Sequence, residues 1–240
     1  MPTTLTVTGD EVTLPLYDTG SAPGSRGAVV VLQEAFGVTE HIEDVCGRFA
    51  DAGYRSVAPH LFHRSGDPVL DYGSIEKVMP HIQALNEEGL VADLRATEQY
   101  LVGEGFDDAA IGVVGFCMGG SVSFLAAARF RLGAAVTFYG GGVTEGRFGM
   151  PSLVDLAPEL KTPWLGLFGD QDANIPIDDV EALRAAAASA DVPTEVVRYA
   201  DADHGFHCDA RPSYHRQSAV DAWDRTLAWF DVHLRNASAG

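Results

Sequence analysis

Four runs of apolar residues constrain this chain more than any other feature: GAVVVLQ (27–33), IGVVGF (111–116), GAAVTFY (133–139) and PWLGLFG (163–169). Apolar residues at both alternating positions mean that both faces of a strand are covered, as in a parallel sheet with helices on either side. Further strands are predicted at 5–9, 11–17, 54–59 and 194–200, the first two so close that they form an antiparallel edge hairpin. Helical spacing fits between the strands at 39–52, 71–87, 89–102, 118–129, 177–190 and 212–235. This alternation predicts an α/β fold with a mostly parallel sheet. In the first helix Thr39 is a plausible N-cap and Gly53 a stop, and Ile42, Val45, Cys46 and Phe49 repeat at helical spacing, so Cys46 is expected in the core. Trp223, Leu227 and Phe230 form one stripe that docks the last helix.

No linker, repeat or low-complexity tract divides the 240 residues, so one domain over 1–240 is expected. The net charge of −18 argues against nucleic acid or an anionic membrane as partner. The first ten residues lack the basic and apolar regions of a signal peptide, and no apolar run reaches membrane-spanning length. Three cysteines, Cys46, Cys117 and Cys208, are an odd number without CxxC spacing, which suits a reducing cytoplasm. Asn236–Ser238 matches a glycosylation sequon by pattern alone.

The chemistry begins at VVGFCMGGSV (113–122). Gly115-Phe116-Cys117-Met118-Gly119 follows a strand and opens a helix, the pattern of a nucleophile elbow with sulfur in place of the serine oxygen. The elbow residue sits in a strained conformation, and side chains two positions to either side would collide with the turn. The helix N-terminus favours a thiolate and a developing oxyanion. The competing reading is a small buried cysteine at a glycine-rich contact.

An elbow nucleophile needs an acid and a histidine further along the chain, each in a loop after a strand. GDQDANIP offers Asp170 and Asp172 after one strand; ADADHGFH offers His204 after the next. Such loops lie at the carboxyl ends of parallel strands, where sites form. His204, His207 and Cys208 share one short loop with no distant ligand set, so no metal is expected. Glu34, just past the strand ending at Gln33, stands in the loop that supplies an oxyanion-hole N–H in α/β-hydrolases. It is either a solvent-facing carboxylate or a charge that keeps the Cys117 thiol protonated.

Four motifs together resemble the dienelactone hydrolases (carboxymethylenebutenolidases): Gln33-Glu34-Ala35-Phe36-Gly37, Gly115-Phe116-Cys117-Met118-Gly119-Gly120, Gly169-Asp170-Gln171-Asp172 with Ile175-Pro176, and His204-Gly205-Phe206. The likeness runs from about residue 11 to 235. It implies an α/β-hydrolase fold without a large lid and a Cys117–His204–Asp172 triad, with Asp172 preferred to Asp170. The N–H groups of Ala35 and Met118 would form the oxyanion hole, and Glu34 would be the resting partner of the cysteine. It also implies that arginines hold a substrate carboxylate. Arg64 stands at one matching place, but the second place is Cys208, with Arg211 the nearest replacement. Phe36 and Tyr139 are expected to join them in binding substrate.

The resemblance implies a hydrolase of a small-molecule lactone or ester, without cofactor, monomeric or homodimeric. A general carboxylesterase or thioesterase is the nearest alternative. A non-catalytic binding protein of the same fold conflicts with the complete triad, and a thiol redox protein lacks a resolving cysteine close in sequence.

Overall fold

The computed structural model describes residues 2–10, 12–20 and 24–235; Glu11, which opens a predicted strand, and the Asn236–Ser238 sequon lie outside them. Eight strands form one sheet: β1 (Thr3–Thr8), β2 (Thr13–Asp18), β3 (Ala28–Leu32), β4 (Arg55–Pro59), β5 (Ile111–Phe116), β6 (Ala134–Phe138), β7 (Trp164–Gly169) and β8 (Thr194–Tyr199). Their order across the sheet is β1-β2-β4-β3-β5-β6-β7-β8. The β1–β2 and β2–β4 pairs are antiparallel and the other five are parallel. The predicted edge hairpin is present, with Leu5 opposite Leu16.

Every residue of β3, β4, β5, β6 and β7 is buried, whereas β1 and β8 are partly exposed. The apolar runs thus belong to strands covered on both faces, and the mixed sequences to the edges. Among the described residues seven α-helices flank the sheet: α1 (Glu40–Asp51), α2 (Ile75–Gln83), α3 (Glu87–Gly103), α4 (Met118–Arg129), α5 (Leu153–Leu156), α6 (Ile177–Ala187) and α7 (Arg216–His233). In α1, Ile42, Val45, Cys46 and Phe49 are fully buried. The Phe49 ring lies 4.6 Å from that of Trp223 and 5.8 Å from that of Phe230, so α7 docks on α1 as well as on the sheet. Among the described residues, no helix is long and apolar enough to cross a membrane.

Two boundaries and one missed helix depart from the sequence reading. The helix predicted over 71–87 is shorter, because Asn86 caps α3 by accepting the Gly89 N–H at 2.9 Å and so ends the preceding segment. Helix α7 starts at Arg216 because residues 208–214 close successive turns, with the Arg211 N–H on the Cys208 carbonyl and the Tyr214 N–H on that of Arg211. Helix α5 is a single turn capped by Ser152, too short to leave a periodic signal.

The chain leaves β3 toward β4 on one side and returns to β5 on the other, so the loops after β3 and β5 flank a crevice at the switch of direction. The first turn of α4 lies hard against the end of β3 there. A Cβ on Gly119 would stand 2.4 Å from the Leu32 carbonyl oxygen and 2.5 Å from that of Gln33; one on Gly115 would stand 1.9 Å from the Gly119 oxygen. Replacing Gly119 by alanine forces backbone apart rather than a flexible side chain. It is expected to cost about 1–3 kcal/mol as overpacking, read as a lower urea midpoint; an unchanged midpoint would show that α4 can shift off β3.

Candidate active site

Cys117 joins β5 to α4 at φ 55° and ψ −113°, a conformation that L-residues rarely adopt. Two backbone bonds fix it there. Its own N–H donates to the Phe138 carbonyl at 3.1 Å, and the Gly119 N–H donates to that of Gln33 at 3.1 Å. The sulfur is half-buried at the crevice, and His204 Nε2 lies 3.0 Å from it. On the other side of the imidazole, Nδ1 lies 2.6 Å from Asp172 Oδ2. Asp172 is buried, and its second oxygen accepts the Asn174 N–H at 2.8 Å. The sequence left Asp170 and Asp172 as candidates: Asp170 is instead paired with Arg198 at 2.7 Å on the edge strand β8.

Burial disfavours a charged His204, but the adjacent sulfur and the Asp172 carboxylate outweigh it and push the imidazole up to about 10. The ring also packs edge-on against Tyr139, centroids 5.1 Å apart. A carboxylate on Nδ1 fixes the tautomer that presents Nε2 to sulfur. Chemically, this line can move a proton off a nucleophile and return it to a leaving group.

The cavity beside Cys117 has a volume of about 480 Å³ and is lined by Ala35, Met118, Ser121, Asn174 and His204 on the sheet side. Neither the Ala35 nor the Met118 N–H donates to a backbone carbonyl among the described residues, and both residues line the cavity. The outer wall is Met79, Ile82 and Leu85 from α2 and its end, with Arg147 and Phe148 from the loop after β6. The sequence reading missed this wall. Met79 and Ile82 are spaced three apart, but only the structure shows Met79 42% exposed, an apolar side chain turned from the core toward the crevice.

The other expected residues are distributed differently. Glu34 is buried, but it accepts from Arg211 Nη1 at 3.2 Å, and the only hydrogen bond of the Cys117 sulfur among the described residues is to His204. Burial raises the Glu34 carboxyl above the usual carboxylate range, against the pull of Arg211 and His204. Its Oε2 and the neighbouring Tyr139 hydroxyl are both buried, and the hydroxyl also pulls the carboxyl down. Arg211 is committed to Glu34 and lies over the rings of Phe36 and Tyr72, 5.8 Å from each centroid. Phe36 and Tyr139 are buried beneath the site and do not line the cavity. Arg64 is not brought to the cavity either: it pairs with the fully buried Asp93 at 2.7 Å. Cys208 is buried with its sulfur 3.4 Å from the Tyr72 hydroxyl.

Behind the elbow, His207 stacks on Phe116 at 5.1 Å with its Nδ1 unbonded. Burial, with the charges of His41 and Arg48, pushes it down to about 3. The unfolded chain takes up this proton near pH 6.5, whereas the folded protein refuses it until about pH 3. Stability is therefore lost as pH falls from 6.5, by at most about 1.4 kcal/mol per pH unit from this group. His207→Phe should flatten the decline of the urea midpoint between pH 6.5 and 4; an identical slope would assign the decline to other groups.

Comparison with known proteins places the chain in a family. The model of the dienelactone hydrolase family matches residues 17–234. A Yersinia pestis protein named "Putative carboxymethylenebutenolidase" is 38% identical over 234 residues, 96% of this chain and 87% of that one. The crystal structure of "Putative Dienelactone Hydrolase" from Klebsiella pneumoniae is similar with a TM-score of 0.87 at 38% identity, covering 96% of this chain and 98% of the other. An acylaminoacyl peptidase from Pyrococcus horikoshii shares the fold alone, with a TM-score of 0.74 at 14% identity over 42% of its length. The architecture is the α/β-hydrolase fold, with no lid domain.

Proposed function

This chain belongs to the dienelactone hydrolase family and is a hydrolase, and from that premise we propose that it cleaves small lactones or carboxylic esters through a thioester on Cys117. The observation that carries the reading is the unbroken line from the Asp172 carboxylate through His204 to the sulfur, 2.6 and 3.0 Å, opening on a largely apolar cavity.

His204 Nε2 takes the thiol proton, and the sulfur attacks the carbonyl carbon. The carbonyl electron pair moves to oxygen, where the N–H groups of Ala35 and Met118 and the N-terminal end of α4 receive the charge. The tetrahedral adduct collapses as His204 returns its proton to the departing alcohol oxygen, leaving an acyl thioester. Water then gives one proton to Nε2 and attacks the thioester carbon. Collapse releases the acid, and the proton on Nε2 returns to sulfur. Asp172 stabilises the imidazolium through both halves without taking the proton. With the sulfur on His204, Glu34 is not needed to accept the thiol proton. Its carboxylate holds Arg211. Sulfur suits esters and activated lactones, whose oxygen leaving groups depart more readily than amines.

Dienelactone and p-nitrophenyl acetate are the substrates to test. Cys117→Ala is expected to lose at least about 10³-fold in kcat, Cys117→Ser to retain little, and Asp172→Asn to fall on the order of 10⁴-fold. Acid quench during p-nitrophenyl acetate turnover should leave an acetyl group on the Cys117 peptide by mass spectrometry. Full activity of Cys117→Ala would refute the reading.

A further inference from the structure

The outer wall of the cavity carries a guanidinium that the mechanism above does not use. Arg147 lies in the loop between β6 and α5, lines the same cavity as Cys117 and His204, and is exposed at its rim. Its side chain makes no hydrogen bond or salt bridge among the described residues. This is notable in a chain where acids outnumber basic residues 34 to 16. Glu145 and Asp179 line an adjoining cleft of about 160 Å³ with Arg147 but do not pair with it; the Asp179 carboxylate accepts from Thr144 at 3.1 Å.

The backbone is shaped to seat this side chain. A Cβ on Gly141 would stand 2.8 Å from Arg147 Nη1, and one on Gly142 would stand 3.1 Å from its Cγ. The guanidinium and its stem therefore lie flat on glycine backbone at the floor of the loop. The other end of the turn is equally constrained: the Met150 N–H closes on the Arg147 carbonyl at 2.9 Å, and Phe148 takes φ 56°. A non-glycine residue is held in the left-handed region only where its surroundings dictate it, and such positions concentrate at ligand clamps. Meanwhile the two arginines that the sequence offered for an anionic substrate are occupied, Arg64 by Asp93 and Arg211 by Glu34, and neither lines the cavity.

We propose that Arg147 is the specificity-determining cation of this enzyme, holding a carboxylate on the far side of an apolar spacer from the ester carbonyl at Cys117. The apolar wall of Met79, Ile82 and Ile175 suits the spacer. A local cation is also what a carboxylated substrate needs to approach a protein of net charge −18. A free guanidinium meets a carboxylate with two parallel N–H bonds, which orients the substrate as well as binding it. The inference rests on the reading that the reacting carbonyl sits at Cys117.

The test compares the p-nitrophenyl half-ester of glutarate with p-nitrophenyl pentanoate, an uncharged ester of the same chain length. Wild type is expected to favour the half-ester in kcat/KM. Arg147→Gln should lower the ratio of the two kcat/KM values at least tenfold, through KM more than kcat, and Arg147→Lys should recover part of it. A ratio that stays at its wild-type value, including an equal loss on both esters, would overturn the proposal. A second measurement separates this from failure of the esterase reading. Calorimetry with Cys117→Ala protein should show hexanoate binding more tightly than hexanamide, with the difference abolished by Arg147→Gln. Equal affinities would overturn the assignment of Arg147 whatever the fate of Cys117, whereas Arg147-dependent hexanoate binding beside a fully active Cys117→Ala enzyme would refute the thioester reading alone.

Discussion

Gln33 joins three loops at a single buried position, and the site is assembled around it. Its carbonyl accepts the Gly119 N–H at 3.1 Å, its side-chain oxygen accepts the Leu61 N–H at 3.0 Å, and its side-chain nitrogen donates to the Glu34 carbonyl at 3.4 Å. The first bond presses the elbow onto β3, the second ties in the chain leaving β4, and the third sets the path toward Ala35. Buried polar groups left unbonded are costly, so such a carboxamide specifies geometry more strongly than an apolar residue of the same size. With the elbow fixed in this way, the sulfur and the Met118 and Ala35 N–H groups are held mutually in place before any substrate arrives. In the proposed reaction, preorganisation of this kind is where electrostatic stabilisation of an oxyanion would gain most.

Charge pairing determines much of the rest. Burying a carboxylate is expensive unless a cation or several hydrogen bonds accompany it. The chain answers with a cationic or imidazole partner for each: Asp18 with Arg55 at 2.6 Å, Asp93 with Arg64 at 2.7 Å and also with His63 at 3.0 Å, Glu34 with Arg211 at 3.2 Å and Asp172 with His204 at 2.6 Å. In three of the four cases the cation thereby leaves the pool available to a ligand. An arginine beside an active-site motif in sequence is thus no guide to substrate binding in a chain so rich in acids. What matters is whether a buried carboxylate has already taken it.

This explains what was legible in the sequence and what was not. The strands were legible because covering a strand on both faces demands apolar residues at every position, as in β3 and β5. Cys117, Asp172 and His204 were legible because strand order fixes which loops converge, and each residue follows its strand within a few positions. Spacing could not tell Asp172 from Asp170 without the resemblance, since that choice turns on Arg198 from the neighbouring strand taking Asp170. Arg64, Phe36 and Tyr139 do not line the cavity for the same reason: a motif places the backbone, while the side chain goes where three-dimensional neighbours accept it. The cavity wall from α2 was hidden because helical periodicity over 71–87 reports amphipathicity without saying which apolar residues face a crevice. Glu34 was placed in the right loop, but the partner of its carboxylate, distant in sequence, was beyond reach.

The two sides of the cavity are built by different means, and the difference has a functional consequence. The inner side is carried by the loops that follow β3, β5, β7 and β8, held to the strand ends through the bonds of the Cys117 N–H to Phe138, the Gly119 N–H to Gln33 and the Asp172 N–H to Gly169. The outer side is carried by α2 and by the loop after β6, neither of which pairs with the sheet. Side chains on that wall can change without moving the sulfur, the imidazole or the two N–H groups. Cys208 fits the same logic: buried against Tyr72 and off the cavity, it stands where the resemblance places an arginine while the line from Asp172 to Cys117 keeps its geometry. On the proposed reading, specificity would be set by loops that the fold leaves free, and the chemistry by the sheet that it does not.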